Sequence, residues 1–243
     1  MRLIELRPAD ALAALAAEEA VLEAVDAGSG EPAWLFWTAP RLSAVLGTAR
    51  PVERDLCTAA VRADRLPVLR RRSGGGTVLL GPASPAVTTV LPAATDLGEA
   101  YARFCGVLLA ALGRLGVPAG FQRPADLAAA GRKLAGLAQR RRRAAELVTA
   151  AVLAAPLVEE SGRYLAEPAA EDAPAYRAGR GHREFMTSLA ELGVEHPAEA
   201  LFTALAAELA ERGASRGGLT ADESRRAEQI ASELADPAWI YRF

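Results

Sequence analysis

Two stretches of this chain gather residues that could handle negatively charged oxygen. The first is Arg70-Arg71-Arg72-Ser73-Gly74-Gly75-Gly76-Thr77-Val78. Successive glycines let the backbone take positive φ and come close to a ligand. Amides exposed in such a turn cradle anions, and arginines just before it pair with phosphate or carboxylate. A dinucleotide-binding fingerprint or a Walker A loop would need glycines leading into a helix, and neither pattern is present. Read alone, the loop could equally be a glycine hairpin with solvated arginines. The second stretch starts at Asp126, passes through Gly131-Arg132-Lys133-Leu134-Ala135-Gly136 and ends in Gln139-Arg140-Arg141-Arg142-Arg143. Lys133 is the only lysine; every other residue among the 28 Lys and Arg is arginine. Arginine serves wherever a solvated charge is enough. A compact ammonium with three rotatable donors does what a planar fork cannot. Lys133 is therefore read as contacting a phosphate and a reacting carboxyl group. Asp126 could orient that lysine, hold Mg2+, or simply end a turn. The arginine run reads as a solvated face, or as an attraction for an acidic partner.

The rest of the composition narrows the class. With 243 residues, 51% of them hydrophobic, the chain can bury a substantial core. It has no run of about 18 uncharged apolar residues, so no membrane span is expected. The opening Met1-Arg2-Leu3-Ile4-Glu5-Leu6-Arg7-Pro8 is too charged for a signal peptide. A net charge of -2 argues against a general nucleic-acid binder. Cys57 and Cys105 both lie in apolar helical patterns and read as buried thiols in a reducing compartment, which implies the cytoplasm. His182 and His196 show no metal-ligand spacing.

Strands and helices must position these stretches. Asp10 to Ala27, Val52 to Ala63, Leu97 to Leu115, Ala198 to Arg212 and Thr220 to Ala235 read as helices. Asp96 with Glu99, and Thr220 with Glu223, have capping-box spacing. Gly28-Ser29-Gly30, Gly116 and the break from Gly213 to Gly218 end helices. Trp34 to Trp37, Ser43 to Gly47, Pro67 to Arg71, Thr77 to Leu80, Val87 to Leu91 and Leu147 to Leu153 read as strands. Asp126 to Ala129 and Lys133 to Gln139 could pair around a turn at Ala130-Gly131. Residues 159–183 are expected to form a long connection. Strands intermixed with separate helices give an α/β or α+β class in one continuous domain.

Taken together, the two stretches resemble the lipoate–protein ligases of the biotin/lipoate A/B protein ligase superfamily, in their short single-domain branch. That family carries an RRxSGGGxV loop and, downstream, a GRKxxGxAQRR-type segment with an essential lysine. Here they stand as Arg70 to Val78 and Gly131 to Arg141. Trp34 to Trp37, the strand ending at Gly47, Ala175 to Phe185 and Trp239 to Phe243 extend the likeness. The resemblance implies a mixed sheet flanked by helices, like the catalytic core of class II aminoacyl-tRNA synthetases and biotin–protein ligases. It implies one catalytic domain over residues 1–243, with no counterpart of the C-terminal accessory domain of longer ligases and with room for a separate accessory protein. It also implies ATP and Mg2+ as cofactors and a two-step reaction. Lipoate or octanoate attacks the α-phosphate of ATP, and a lysine of a lipoyl domain or glycine-cleavage H protein then attacks the acyl-adenylate. By motif, Arg71, Gly76, Thr77, Val78 and Leu79 would contact the nucleotide. Lys133 would bridge phosphate and carboxyl oxygens, Asp126 would stand near phosphate and metal, and Ser73, Gly74 and Gly75 would line the acyl tunnel.

The sequence also departs from that pattern. Many such ligases follow the glycines with His-Asp and a Gly-Asn pair, where this chain has Leu80-Gly81-Pro82-Ala83-Ser84. Where His-Gly-Thr often follows the arginine run, it has Val148-Thr149-Ala150-Ala151. Two alternatives therefore stand beside the ligase. One is an octanoyl or lipoyl transferase working through a cysteine thioester, for which no cysteine precedes Lys133 locally. The other is a non-catalytic lipoyl-assembly protein.

Overall fold

The computed structural model describes residues 1–169 and 172–243. In chain order, β1 (Arg2–Leu6) leads into α1 (Ala11–Asp26), then β2 (Ala33–Trp37) and β3 (Ser43–Leu46). Two short helices follow, α2 (Val52–Asp55) and α3 (Thr58–Ala63), then β4 (Val68–Arg70), β5 (Val78–Leu80), β6 (Ala86–Pro92) and the long α4 (Leu97–Arg114). A meander of β7 (Ala119–Gln122), β8 (Asp126–Ala129), β9 (Arg132–Arg141) and β10 (Ala145–Val152) comes next. The remainder is α5 (Val158–Tyr164), a single 3-10 turn at Ala175–Arg177, α6 (His182–Phe185), α7 (Pro197–Glu211), β11 (Ser215–Gly217), α8 (Ala221–Leu234) and α9 (Pro237–Ile240).

The main sheet has eight strands in the order β11-β1-β2-β6-β10-β9-β8-β7, parallel where β1 meets β11 and β2 and antiparallel elsewhere. A smaller sheet, β4-β3-β5, carries the strands on either side of the triple-glycine loop. Helices cover both faces of the main sheet. Trp34 and Phe36 of β2 face the α4/α7 side, packed with Phe104, Leu108 and Leu205. Leu35 faces α1, against Val21, Leu22 and Val25. With both faces covered, all five residues of β2 are buried, and the strand reads as an unbroken apolar run.

The mixed sheet flanked by helices is the expected class. Helix boundaries follow their caps: Asp10 accepts from the Ala13 amide at 2.9 Å, and Thr220 with Glu223 forms a complete capping box. At α4 the box is only half built. Asp96 caps the Glu99 amide, but Glu99 turns to the amide and hydroxyl of Thr95. The single helix expected over Val52 to Ala63 is broken. Leu56 is extended and bridges Leu165, and the Cys57 amide donates to Tyr164 at 2.9 Å. A long-range backbone pairing has overridden local helix propensity there. Cys57 is consequently half-buried at the start of α3, not a core thiol, whereas Cys105 is buried in α4 as expected. The connection expected over residues 159–183 holds part of α5, the 3-10 turn and the start of α6. Residues 170 and 171 within it lie outside the described residues. No described helix is long and apolar enough to cross a membrane.

Candidate active site

The hairpin of β8 and β9 delivers the lysine. Ala130 and Gly131 both have positive φ, 49° and 70°, as a tight two-residue turn requires. The register then shifts. Leu127 pairs with Ala135 but Ala128 pairs with Lys133, leaving Leu134 as an extra residue in β9. One bulged residue reverses the side-chain alternation beyond it. Lys133 therefore shares a face with Asp126, which lies opposite Gly136. Lys133 Nζ stands 2.7 Å from Asp126 Oδ1, and Tyr176 donates its hydroxyl to Asp126 Oδ2 at 2.8 Å. Burial and the Asp126 charge hold the Tyr176 phenol well above its ordinary range, so it remains a donor. A Cβ on Gly136 would lie 3.2 Å from Lys133 Nζ, so the glycine leaves the space that the lysine occupies.

The triple-glycine loop is laced in place by its own arginines. Arg71 is buried, and its guanidinium donates to the carbonyls of Gly74 and Gly76 at 2.7 Å and of Val45 at 3.1 Å. Burial pulls its pKa down to about 10, with the Glu18 charge opposing. Gly75 has φ of 83°, and the Gly74 amide donates to Gln139 of β9 at 3.0 Å. Gly47 is packed so closely that a Cβ there would sit 2.0 Å from the Gly75 carbonyl oxygen.

Loop and hairpin meet on a wall shared by two cavities. The larger, about 470 Å3, is lined by Arg50, Asp55, Leu79, Ser84, Glu167 and His182 among others. The smaller, about 230 Å3, is lined by Leu15, Trp37, Leu80, Ala86, Leu137 and Ala138, with Glu18 and Arg71 on its wall. Gly76, Thr77, Val78, Lys133, Gly136 and Ala151 belong to both. The larger cavity is polar-rimmed and suits a charged molecule. The smaller is mostly hydrocarbon and suits an acyl chain whose head reaches Lys133.

The sequence-derived site residues fall as follows. Gly76, Thr77, Val78 and Lys133 stand on the shared wall, and Leu79 on the larger cavity. Asp126 and Gly75 line the smaller cavity. Arg71, expected on a nucleotide, also lines the smaller cavity, where it holds loop carbonyls. Ser73 and Gly74, expected along an acyl tunnel, line neither cavity; Ser73 instead receives the Thr48 amide on its carbonyl at 2.9 Å. Asp126 is the one carboxylate beside Lys133 on this hairpin face. Among the described residues no group of three or more His, Cys, Asp or Glu could hold a metal ion, and each Asp126 oxygen already accepts, from Lys133 or from Tyr176. The arginine run is only partly a solvated face: Arg141 and Arg143 are exposed, whereas Arg140 pairs with Glu19 at 3.0 Å and Arg142 with Asp26 at 3.1 Å.

Several lining residues escaped the sequence reading. Glu18 is buried, accepts hydrogen bonds from Trp37 Nε1 at 2.7 Å and from Thr88, and is pushed up to about 7 by that burial. Arg50 grips Asp55 with two hydrogen bonds, and Thr77 donates to the same carboxylate. His182, on the larger cavity, is pulled down by burial. Nothing in their local sequence set these residues apart.

Comparison with known proteins bears on the family and the fold. A curated protein of Aeropyrum pernix named "Putative lipoate-protein ligase A" is 33% identical over 139 residues. That stretch spans 57% of this chain and 52% of the relative, so the match covers about half of the relative's length. Among solved structures, a lipoate-protein ligase A bound with ATP superposes with a TM-score of 0.85 at 19% identity, covering 99% of this chain and 98% of that one. The bi-partite lipoate protein ligase of Thermoplasma acidophilum, studied with its E2 lipoyl domain, gives a TM-score of 0.84 at 19% identity, covering 99% of this chain and 95% of that one. At such identities these structures establish the fold. The family model described as the lipoyl protein ligase A/B catalytic domain matches residues 10–210, which include the loop, the hairpin and every residue lining the two cavities. This chain belongs to the lipoyl protein ligase A/B catalytic-domain family.

Proposed function

We propose that this chain attaches lipoate or octanoate to the lysine of a lipoyl domain, at the expense of ATP and by way of an acyl-adenylate. One observation carries the reading: Lys133 and the glycine loop line two adjoining cavities, a smaller one that is mostly hydrocarbon and a larger one that also bears Arg50, Asp55, Glu167 and His182. The acyl chain lies along Trp37, Leu80 and Leu137, a wall that Leu80 makes more apolar than the histidine common in such ligases. Its carboxylate points to Lys133, and ATP fills the larger cavity. A carboxylate oxygen attacks the α-phosphorus, and the bond to the β-phosphate oxygen breaks. Lys133 Nζ places its positive charge on the oxygens where negative charge gathers. Asp126 and Tyr176 fix the ammonium's direction beforehand, so little reorganisation is needed during the reaction. Mg2+ serves in this reading as the counter-ion of the nucleotide phosphates, which with water supply most of its ligands. The acceptor, a lipoyl domain or an H protein, then brings its lysine to the adenylate; a separate accessory protein belongs to the same reading.

The transferase alternative needs a reactive thiol at the site. Neither cysteine lines either cavity, and burial pushes the Cys105 thiol up to about 11. Thiols of that kind are poor nucleophiles at neutral pH. The test is intact mass of apo lipoyl domain incubated with ATP and octanoate or lipoate. The wild-type chain is expected to add one acyl group only when ATP is present. Lys133→Arg is expected to lose roughly 100-fold or more in rate, the usual cost of a misplaced charge-stabilising group. Cys57→Ser with Cys105→Ser is expected to retain activity. Acyl transfer from an acyl-carrier protein without ATP, abolished by one of the serine changes, would replace the ligase by the transferase.

A further inference from the structure

We infer that the leucine-lined end of the larger cavity seats the nucleobase, and that the Ser161 hydroxyl is the side-chain group that hydrogen-bonds the edge of the base. The inference rests on the ATP-dependent reading above and deepens it. Leu157 and Leu165 flank α5, one turn either side of Ser161, and a spacing of four brings helix residues onto one face. All three line the larger cavity and none lines the smaller. The wall continues through Leu79 of β5 and Leu153 just beyond β10, which also line the larger cavity alone. The four leucines pack in one hydrophobic cluster against the small sheet. Ala151, two residues before Leu153, lines both cavities, as Lys133 does. The leucine wall thus leads away from the lysine into space that the acyl cavity does not reach. With Lys133 on the α-phosphate, the base is the part of the nucleotide left to fill it.

Ser161 interrupts that apolar wall. The residue is 2% exposed, and its hydroxyl has no hydrogen-bond partner among the described residues. Two other hydroxyls line the same cavity, and both are committed: Ser84 donates to the Leu79 carbonyl at 2.6 Å, and Thr77 to Asp55 at 2.5 Å. A serine inside a helix often returns its proton to the carbonyl one turn back. Ser161 makes that contact with its amide alone, to Leu157 at 2.8 Å.

A buried hydroxyl without a partner costs free energy, and an alanine at this position would pack among the leucines without that cost. A ligand that brings a partner recovers it. The hydroxyl has one proton to give and lone pairs to accept, so it can meet a ring nitrogen or an exocyclic amine. A purine has this pattern of chemistry: its faces are apolar and lie against leucine, and its donors and acceptors are confined to the edge. A site that offers a buried polar group to such an edge disfavours a ligand that leaves the group unpaired.

Calorimetry with ATP and with inorganic tripolyphosphate on the full chain tests this, alongside thermal melts without ligand. Ser161→Ala removes one oxygen and suits a helix, so its ligand-free melt is expected to match wild type or lie above it. The same variant is expected to bind ATP about three- to tenfold more weakly, the scale of one neutral hydrogen bond, and tripolyphosphate, which has no base, unchanged. Ser161→Leu extends the leucine wall into the seat and is expected to lose ATP binding further while keeping tripolyphosphate. A purely structural serine would instead lower the ligand-free melt. That result, or equal weakening of ATP and tripolyphosphate, overturns the assignment. If wild type and Ser161→Ala bind ATP equally well, the base sits elsewhere and the ligase reading stands. If the wild-type chain does not bind ATP, the ligase reading falls and this inference falls with it.

Discussion

Glu18 is a carboxyl group on the wall of a cavity made largely of hydrocarbon. Trp37 and Thr88 both donate to the same oxygen, and Thr88 in turn accepts from the Thr149 hydroxyl at 2.7 Å. Burial raises its pKa from 4.5 to about 7, more than those hydrogen bonds and the nearby Arg71 lower it. A carboxyl raised in the folded state holds its proton better there than in the unfolded chain. Its contribution to stability is complete below 4.5 and is lost as the pH climbs past about 7. Glu18→Gln keeps one oxygen to accept both donors and cannot ionise. Thermal melts from pH 5 to pH 8 should show the variant gaining on wild type as pH rises, by up to about 3 kcal/mol. Parallel pH profiles would mean that the Glu18 charge is not suppressed. At this scale the sequence disclosed the residues whose type or setting is unusual: a glycine triplet, a lone lysine, and an aspartate shortly before that lysine. It hid Glu18, because glutamate in an alanine-rich helix ordinarily faces water. It hid Arg50 and Asp55 for the same reason, since one arginine among so many carries no signal until the fold brings it to a cavity.

The element that decides the site's shape is the loop between β4 and β5, and its fit depends on Gly47 at the end of β3. A methyl group at Gly47 would collide with the Gly75 carbonyl, a backbone atom held by the surrounding strands. Gly47→Ala should therefore destabilise the chain by about 1–3 kcal/mol, as overpacking does. Gly106→Ala is the contrast: in α4, with nothing within 4 Å of a new Cβ, it should stabilise by roughly 0.5–1 kcal/mol. Urea midpoints of the two variants should move in opposite directions; a neutral Gly47→Ala would mean that the loop yields easily. Elements with strong local signals were legible beforehand. The helices begin at Asp10, Asp96 and Thr220, and the hairpin turns at Ala130-Gly131. Elements formed by pairing alone were not. β11, Ser215-Arg216-Gly217, has no apolar residue and exists because it lies parallel to β1. The arrest of the helix at Leu56 comes from Leu165, more than a hundred residues away in sequence, which no local pattern encodes.

Across the whole molecule, the last residues tie the outer layer of helices to the small sheet that holds the loop. Arg70 is fully buried; its Nε donates to Ile240 of α9 at 2.9 Å, and one terminal nitrogen donates to Gly47 at 2.9 Å and Arg50 at 2.7 Å. Trp239 returns the contact by donating its indole N–H to the Arg70 carbonyl at 2.8 Å. Arg242 lies over the Trp239 ring, 3.9 Å from its centroid, and donates to Thr48. One guanidinium thus gathers carbonyls from α9 and from the turn that backs the glycine loop. Arg70→Lys keeps the charge but not the fork, so it should strand some of these buried carbonyls at roughly 1–3 kcal/mol each. Trp239→Phe keeps the ring and removes a single hydrogen bond, for about 1 kcal/mol. The two residues share one strut, so the double variant should cost less than the sum of the single changes. Hydrogen exchange should quicken together at residues 43–50 and 73–77 in both single variants, although neither change touches a cavity wall. Additive energies with unchanged exchange in those segments would make the C-terminal contact a local one, and the loop would owe its position to Arg71 and β9 alone.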